Sequence, residues 1–319
     1  MTAPCPRCGL LHPPARPCPT MALATATADA ILLPAGVQLA GRYQIRQVIH
    51  RGGMSAVYLA QDTISHRSVA LKELRLDAAA SEEERLEAEA WFARESYLLS
   101  NLSHPLIPEF YSVFREAGRA YIAQEFVEGE NLNDYIRRNG PVPVRLAIKW
   151  GCDLCGLLRY LHTVREPVVH RDLKPANMIL PHDSEQLTVV DFGIAKPMKP
   201  HQVGTTIGTP GYAPPEQYQG IATPESDIFA LGVTLHRLLT GHDPEQADPS
   251  SVLFTYPNIE ALRPDAPPRL AAVIERAVQL DPRARYATAW EMGRALERAG
   301  KWITTQKLAR GVRRLGGSK

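Results

Sequence analysis

The hydrophobic pattern of the chain changes once, close to Gly129, and this change limits the folds that are possible. Before it, from Leu39 onward, short alternating runs have the two-residue period of antiparallel strands, among them YQIRQVI, AVYLAQD, SVALKEL, FYSVFREA and AYIAQEFV. One segment between them, SEEERLEAEAWFARESYLLSNL, is helical in character, and Ser81 and Glu84 have the spacing of a capping box. The pattern predicts a strand-rich unit with one helix.

After Gly129 the apolar residues recur with helical spacing. The segments that show it are NLNDYIRRN, VRLAIKWGCDLCGLLRYLHTV, ESDIFALGVTLHRLLTG, RLAAVIERAVQL and TAWEMGRALERAG. We therefore expect a larger, mainly helical unit. The connection at residues 124–129 is short, which favours two lobes that meet at a cleft, and such clefts are frequent ligand sites.

The composition narrows the class of protein and its setting. With 45% apolar and 22% charged residues, the chain can bury a globular core, and a net charge of +2 does not favour nucleic acid as a partner. No apolar run has the length of a transmembrane segment, and MALATATADAILLPA lacks the basic leader and clean apolar core of a signal peptide. The five cysteines do not form a secreted disulfide framework. We expect a reducing, cytoplasmic setting.

Two charged residues among apolar neighbours predict an internal ion pair. One face of the predicted helix carries Trp91, Glu95, Leu98 and Leu102. A carboxylate on such a face is costly unless a cation meets it. In SVALKEL, Lys72 shares a face with Ala70 by alternation. A Lys72–Glu95 pair would hold an ammonium group ready for phosphate oxygens; the alternative is a Glu95 at the helix edge that reaches solvent.

The segment VVHRDLKPANMIL collects polar residues between two apolar runs. Asp172 and Asn177 lie five residues apart, and Lys174 lies between them. A carboxylate can accept a proton from an attacking hydroxyl, an amide oxygen can bind a metal, and a lysine can counter phosphate charge. Asp191 then ends the apolar strand of LTVVDFG, a suitable place for a ligand of Mg²⁺. The alternative is a polar turn without a chemical role.

The stretch VIHRGGMSAVYLA, residues 48–60, has the pattern of a phosphate-binding loop, with apolar residues on both sides of a pair of glycines. Set against the spacing G-x-G-x-x-G-x-V, Gly52 and Val57 fit, whereas His50 and Ser55 occupy the places of the first and third glycines. An ordinary hairpin is the alternative. If the backbone of His50 is extended, its side chain fits sterically, but a positive φ would strain it.

In their order along the chain, these motifs resemble those of a eukaryotic-like protein kinase, of the serine/threonine type common in bacteria. The matching pieces are RGGMSAVY, VALKEL, FARESYLLSNLSHP, HRDLKPAN, DFG, GTPGYAPPE, SDIFALGV and DPRARY. The resemblance covers roughly residues 39–298 and implies an α+β, bilobal protein kinase fold. A small antiparallel β-sheet lobe with one main helix (39–126) would precede a larger, mainly helical lobe (127–298).

The resemblance also implies an activity and the residues for it. It implies transfer of the γ-phosphate of ATP to serine or threonine hydroxyls of protein substrates, with Mg²⁺ as cofactor. The implied catalytic residues are Lys72, Glu95, Asp172 (the base) and Lys174, and the implied Mg²⁺ ligands are Asn177 and Asp191. The implied nucleotide site contains Gly52, Gly53, Ser55, Val57, Ala70, Lys72, Glu125, Val127 and Ile179, with Gln124 at its rear.

Further residues follow from the same resemblance. Lys174 and Thr209 resemble the serine/threonine branch of the family. Asp227 would brace the catalytic loop, and Glu216 would pair with Arg285. Thr205 and Thr206, near the middle of the segment 191–216, are expected to be autophosphorylated, with Arg171 as the partner of the phosphate; the alternative is that they are solvated loop threonines.

The chain departs from the family pattern at His50, at Ser55 and at Pro214, which replaces the alanine of Ala-Pro-Glu. The residues His50 and Ser55 put the affinity for nucleotide in question more than the catalytic step. A second hypothesis is therefore a catalytically weak or silent kinase-fold scaffold that binds nucleotide and partners. Cys152 and Cys155 are expected to be small, partly buried thiols in a helix.

The ends of the chain carry features of their own. The segment CPRCGLLHPPARPCPTM, in residues 1–20 and just beyond, resembles half of a zinc ribbon, with Met21 in place of the fourth cysteine. The expected Zn²⁺ ligands are Cys5, Cys8, His12 and Cys18. This segment would dock a partner, unless it is a decayed ribbon or a disordered arm. A linker (21–38) follows, and the basic tail (299–319) is either a solvated end or a weak contact with an acidic membrane surface.

Overall fold

The computed structural model describes residues 32–52, 55–75, 81–191, 209–246 and 254–301. The chain forms two compact units that divide between Val127 and Glu128, with residues 104–106 belonging to the second. The predicted α+β class is confirmed, with the strand-rich unit preceding a mainly helical one. Several predicted features lie outside the described residues: Cys5, Cys8, His12, Cys18, Gly53, Thr205, Thr206, the linker to residue 31 and the tail from residue 302.

The first unit is built on a six-stranded antiparallel sheet with the order β1-β2-β3-β4-β6-β5. Its strands are β1 (Gln38–Leu39), β2 (Tyr43–Arg51), β3 (Ser55–Asp62), β4 (Ser68–Leu74), β5 (Phe110–Glu116) and β6 (Arg119–Glu125). Ala117 and Gly118 join β5 to β6 with positive φ angles of 52° and 78°. Two such residues make the tight hairpin turn whose twist suits the strands.

Helix α1 (Glu82–Asn101) begins at the predicted capping box and packs against β4 and β5. Its innermost face differs by a small rotation from the predicted one. Ala88, Phe92, Glu95 and Leu99 are buried at helical spacing, and Leu98 is buried beside them. Trp91 is only partly buried, and Leu102 lies beyond the helix as its C-cap. The apolar surface of α1 is wide enough to include two neighbouring faces of the helix. Packing against the sheet therefore determines which of the two is innermost.

The second unit contains the five predicted helices and two short ones. Its helices are α2 (Leu132–Asn139), α3 (Val144–Thr163), α4 (Pro215–Tyr218), α5 (Pro224–Thr240), α6 (Ile259–Leu262), α7 (Pro268–Ala277) and α8 (289–301). Helix α5 is buried along its whole length from Ser226 to Leu239 and packs against α3 and α7. A helix buried on all sides is the centre around which such a unit is organised.

A small antiparallel sheet in the second unit was not predicted in full. It joins β7 (Gly129–Asn131), β8 (Met178–Pro181) and β9 (Thr188–Val189). Strands of two to four residues are too short to show alternation.

Helices in the described ranges all fall short of the length and apolarity needed to cross a bilayer. Cys155 is buried in α3 and Cys152 is partly buried, and burial raises the pKa of Cys152 to about 11.

Candidate active site

Strand β4 carries the candidate nucleotide-binding face of the first unit. Ala70 pairs with Leu59 of β3 and with Gln124 of β6, and Lys72 pairs with Val57 and with Ile122 in the same two strands. Directly paired residues project from the same face of a sheet. The predicted adenine contacts Val57 and Ala70 therefore share one face with Lys72.

The predicted ion pair between β4 and α1 is present. Lys72 Nζ lies 2.7 Å from Glu95 Oε1, and the two side chains are 16% and 2% exposed. The alternative of a Glu95 that reaches solvent is therefore wrong. Helix α1 places the carboxylate of Glu95 beside the inward-facing Lys72 of β4. Each charge therefore has a partner of opposite sign in the interior.

The opposite face of β4 carries a second charged cluster, which the sequence analysis missed. Glu73 is 1% exposed. Its carboxylate accepts hydrogen bonds from Arg119 Nη1 at 2.7 Å and from Tyr58 Oη at 2.5 Å, and Arg75 lies 3.9 Å away. Burial, reinforced by the hydrogen bond to Glu73, raises the pKa of Tyr58 to about 12. The missed signal was the Lys-Glu step inside an apolar strand.

The glycine-containing loop joins β2 to β3. Gly52 N–H donates to Ser55 C=O at 2.8 Å, which closes the strands toward the tip. His50 is exposed, pairs with Val57 and lies in β2, and its φ is not positive. An extended backbone accepts any side chain. His50 therefore replaces a glycine here without steric strain.

Two residues expected to meet the edge of adenine lie at the end of β6. Glu125 N–H donates to Glu109 C=O at 2.8 Å, so this donor already has a partner. Within the described part of the chain, neither backbone group of Val127 forms a hydrogen bond. Val127 can thus offer both a donor and an acceptor.

In the second unit, Asp172 is the centre of a compact polar cluster. It is only 3% exposed. Thr209 Oγ1 donates to Asp172 Oδ1 at 2.6 Å, and Asn177 Nδ2 donates to Oδ2 at 3.0 Å. Lys174 Nζ donates to Thr209 Oγ1 at 2.6 Å and lies 3.7 Å from Asp172 Oδ1. The predicted base, lysine and amide are therefore brought together, with a threonine between the first two.

Asp227 of α5 holds the backbone that leads to this cluster. Its fully buried carboxylate accepts from the amide of His170 at 2.8 Å and from the amide of Arg171 at 2.9 Å. His162 Nε2 lies 2.8 Å from the same carboxylate. Arg171 has a φ of 70°, a left-handed conformation that costs energy in a residue with a side chain. The bonds to Asp227 fix that conformation just before Asp172.

Asn177 and Asp191 suit a hard metal ion. The side-chain nitrogen Nδ2 of Asn177 donates hydrogen bonds to the carbonyl and the carboxylate of Asp172. The side-chain oxygen Oδ1 accepts no hydrogen bond within the described ranges. Val190 N–H donates to Asn177 C=O at 2.9 Å, which ties the residue before Asp191 to Asn177. Oxygen ligands of this kind fit Mg²⁺.

Ile179, the third predicted adenine contact, lies in β8 and pairs with Thr188. The described residues contain no group of three or more His, Cys, Asp or Glu side chains that could hold a metal ion.

The predicted pair between Glu216 and Arg285 is also present. Arg285 Nη1 lies 2.6 Å from Glu216 Oε1, and Nη2 lies 3.0 Å from Oε2. The Arg285 side chain is fully buried and donates further to the carbonyls of Gln279, Glu225 and Leu280. Burial opposes the charge of Glu216, but hydrogen bonds, led by those from Arg285, lower its pKa.

The fold of the two units and these clusters are those of a protein kinase domain. Residues 43–291 match the family described as protein kinase domain. The chain belongs to this family, and the predicted kinase fold is confirmed.

Named relatives and solved structures agree with this assignment. The serine/threonine-protein kinase PrkC of Bacillus subtilis is 37% identical over 81% of this chain, and PknB of Mycolicibacterium smegmatis is 35% identical over 80%. The match covers 40% of the first and 42% of the second, so the chain spans about two fifths of their length. A crystal structure of the Mycobacterium tuberculosis PknI kinase domain matches with a TM-score of 0.68 and 28% identity, over 85% of this chain and all of that one.

Proposed function

We propose that this chain is an ATP-dependent serine/threonine protein kinase. The observation that carries the proposal is the buried Asp172, held by Thr209 and Asn177, with Lys174 at 3.7 Å. The names of the relatives PrkC and PknB support it. The link from Lys174 to Thr209 also supports serine or threonine as acceptors, because these two residues resemble that branch of the family.

Each proposed role follows from the position of one group. Asp172 orients the substrate hydroxyl and accepts its proton, and Lys174 offsets negative charge beside it. Lys72, fixed by Glu95, offers its ammonium group to phosphate oxygens. Asn177 Oδ1 and the Asp191 carboxylate would hold Mg²⁺, which would neutralise part of the negative charge on the phosphates of ATP. Catalysis of this kind depends on positioning and electrostatic stabilisation.

The residues proposed to bind the nucleotide are those that the family motifs imply. Val57, Ala70 and Ile179 contact adenine, and the backbone of Glu125 and Val127 meets its edge. Gly52, Gly53 and Ser55 cover the phosphates. The rival hypothesis, a silent scaffold, depended on the departures at His50 and Ser55. The strand conformation of His50 weakens that support.

The test is incubation of the full chain with labelled ATP, Mg²⁺ and a generic basic protein. Lys72→Met and Asp172→Asn should each lower the turnover number by about a hundredfold or more, because each removes a positioned charge. Lys149→Met and Asp183→Asn, which change residues on the surface of the second unit, should leave it unchanged. Near-normal rates in both site variants would contradict the assigned roles.

We also propose Thr205 and Thr206 as autophosphorylation sites, with Arg171 as the partner of the phosphate. Arg171 supports this because its backbone is fixed next to Asp172 by Asp227. Mass-spectrometric mapping of the same incubation tests it. Phosphate found only elsewhere, with full activity in a Thr205→Ala/Thr206→Ala variant, would refute it.

For the amino terminus we propose a zinc site of Cys5, Cys8, His12 and Cys18 in residues 1–20, joined through the linker 21–38 to a kinase domain of residues 39–298. Thiolates and imidazole suit Zn²⁺, and so short a segment needs a metal or partner to fold. Its work would be docking a partner. Elemental analysis should find about one zinc per chain, lost in Cys5→Ser/Cys8→Ser and retained in Cys152→Ser. A chain that stays metal-free when zinc is supplied under reducing conditions would exclude the site.

The tail 299–319 is proposed to make a weak contact with acidic membrane surfaces, in a cytoplasmic setting. Its basic residues are Lys301, Lys307, Arg310, Arg313, Arg314 and Lys319, and it has no acidic residue. Co-sedimentation with vesicles rich in anionic lipid should depend on the tail. Equal binding by a chain that ends at residue 300 would refute it.

A further inference from the structure

The loop after α5 brings an acidic residue beside the cluster around Asp172. Helix α5 ends at Gly241, and the loop continues through Asp243 and Pro244 to Glu245. Pro244 packs directly on Gly211: a Cβ at Gly211, whose φ is 81°, would lie 2.6 Å from the Pro244 Cβ. Only glycine permits this approach.

The segment that Pro244 touches is the one that reaches Asp172. Thr209, two residues before Gly211, donates to the Asp172 carboxylate. Tyr256 Oη donates to Gly211 C=O at 2.7 Å and gives the segment a second contact. The loop that carries Glu245 therefore borders the candidate catalytic cluster within the second unit.

Glu245 lies among charges of both signs. Burial is the main cause that raises its pKa; the charge of Lys174 opposes this, the charges of Asp243 and Asp172 raise the pKa further, and that of Arg237 lowers it. Asp243 has its own partner in Arg237, at 3.0 Å. Neighbouring atoms partly desolvate the carboxylate, but Glu245 as a whole keeps a large exposed area, and its carboxylate forms no ion pair or hydrogen bond with any residue that the structure describes.

We propose that Glu245 is a specificity-determining residue that binds a basic side chain, lysine or arginine, of the protein substrate close to its phosphorylated residue. This rests on the proposed kinase activity. A substrate cation would relieve the repulsion from Asp172 and Asp243 and give Glu245 an ion-pair partner that none of the described residues provides. Arginine fits best, since its planar guanidinium can donate two hydrogen bonds to one carboxylate.

The experiment measures kcat/KM of the full chain on peptides with one acceptor threonine in a neutral background. At each nearby position the peptides carry arginine, glutamine or glutamate. The enzymes are the wild type, Glu245→Gln and Glu245→Arg, with Glu275→Gln as a matched control, because Glu275 is an exposed carboxylate on α7 of the same unit.

At one or more positions, the wild type should prefer arginine over glutamate by about tenfold, the size expected of one charge-assisted hydrogen bond. Glu245→Gln should lose this preference, Glu245→Arg should reverse it, and the control should keep it. All variants should phosphorylate the neutral peptide as the wild type does.

Two other results overturn the inference. Phosphorylation without any preference for basic residues, or a preference that survives in both Glu245 variants, overturns it and leaves the proposed kinase activity standing. Absence of phosphorylation from every peptide and from the chain itself overturns the proposed function, and the inference falls with it.

Discussion

At the scale of single residues, each charged group in the interior of the candidate site is held by a specific partner. Lys72 has Glu95, and Asp172 has Thr209 and Asn177. A buried charge without such a partner would be neutralised or would destabilise the fold. The partners therefore hold these groups in fixed positions, which phosphoryl transfer requires.

His50 allows a sharp prediction at this scale. Because its backbone is already extended, His50→Gly adds flexibility to the loop without relieving strain. We expect a change in the Michaelis constant for ATP that exceeds any change in turnover number, measured by steady-state kinetics. Gln47→Gly, at an exposed position of the same strand that also has no positive φ, is the control for general loosening of the sheet. A large fall in turnover with unchanged ATP affinity would instead indicate a direct role for the imidazole.

At the scale of elements, side chains of opposite charge on the two faces of β4 determine which face of the strand is turned toward α1. Lys72 meets Glu95 of α1 on one face, and Glu73 meets Arg119 and Tyr58 on the other. A shift of one residue in strand register would exchange the two faces. Both charges would then lose their partners, so the pair of clusters holds the lysine toward α1.

This arrangement predicts a large loss of stability from a change on the face away from Lys72. Glu73→Gln leaves Arg119 buried without its counter-charge and should lower the free energy of unfolding by about 3–5 kcal/mol. Tyr58→Phe removes the hydrogen bond to Glu73 and a longer one from the Leu33 amide, and should cost about 1–2 kcal/mol. Denaturant unfolding followed by circular dichroism measures both. Glu89→Gln, in an exposed pair with Arg115, is the control and should cost less than about 1 kcal/mol. A loss for Glu73→Gln no larger than the control's would show that this cluster does not stabilise the unit.

At the scale of the whole molecule, each unit contains an ion pair that links folding to pH. The hydrogen bond from Arg42, followed by smaller contributions, lowers the pKa of Asp62 in the first unit. The pair with Arg285 has the same net effect on Glu216 in the second unit. A carboxylate with a lowered pKa stabilises the fold above its ordinary pKa, and the contribution is lost as the pH falls through the folded value.

The two units should therefore lose stability in acid for the same reason. At neutral pH, Asp62→Asn and Glu216→Gln should each lower the thermal unfolding temperature. The difference from the wild type should shrink as the pH falls below about 4, the ordinary range of these carboxyls. Calorimetry across this range measures it, with Glu275→Gln as the neutral control. A difference that stays constant down to the lowest pH would show that the ion pairs are not the cause.

The sequence by itself determined the order of strands and helices, the capping box at Ser81, and the set of residues that the kinase motifs single out. These depend on local spacing: the period of apolar residues and the position of a residue within a motif are properties of neighbouring positions. The Lys72–Glu95 pair was also within reach, because each residue was a charge on an apolar face and the two needed each other.

Only the tertiary structure decided which face of α1 lies innermost, where the short strands β7–β9 form, and that the backbone of His50 is extended. It alone placed Thr209 between Asp172 and Lys174, and Glu73 against Arg119. In each case the deciding partner lies far away in sequence. Burial and hydrogen bonding depend on which distant segments pack together, and no local pattern of residues carries that information.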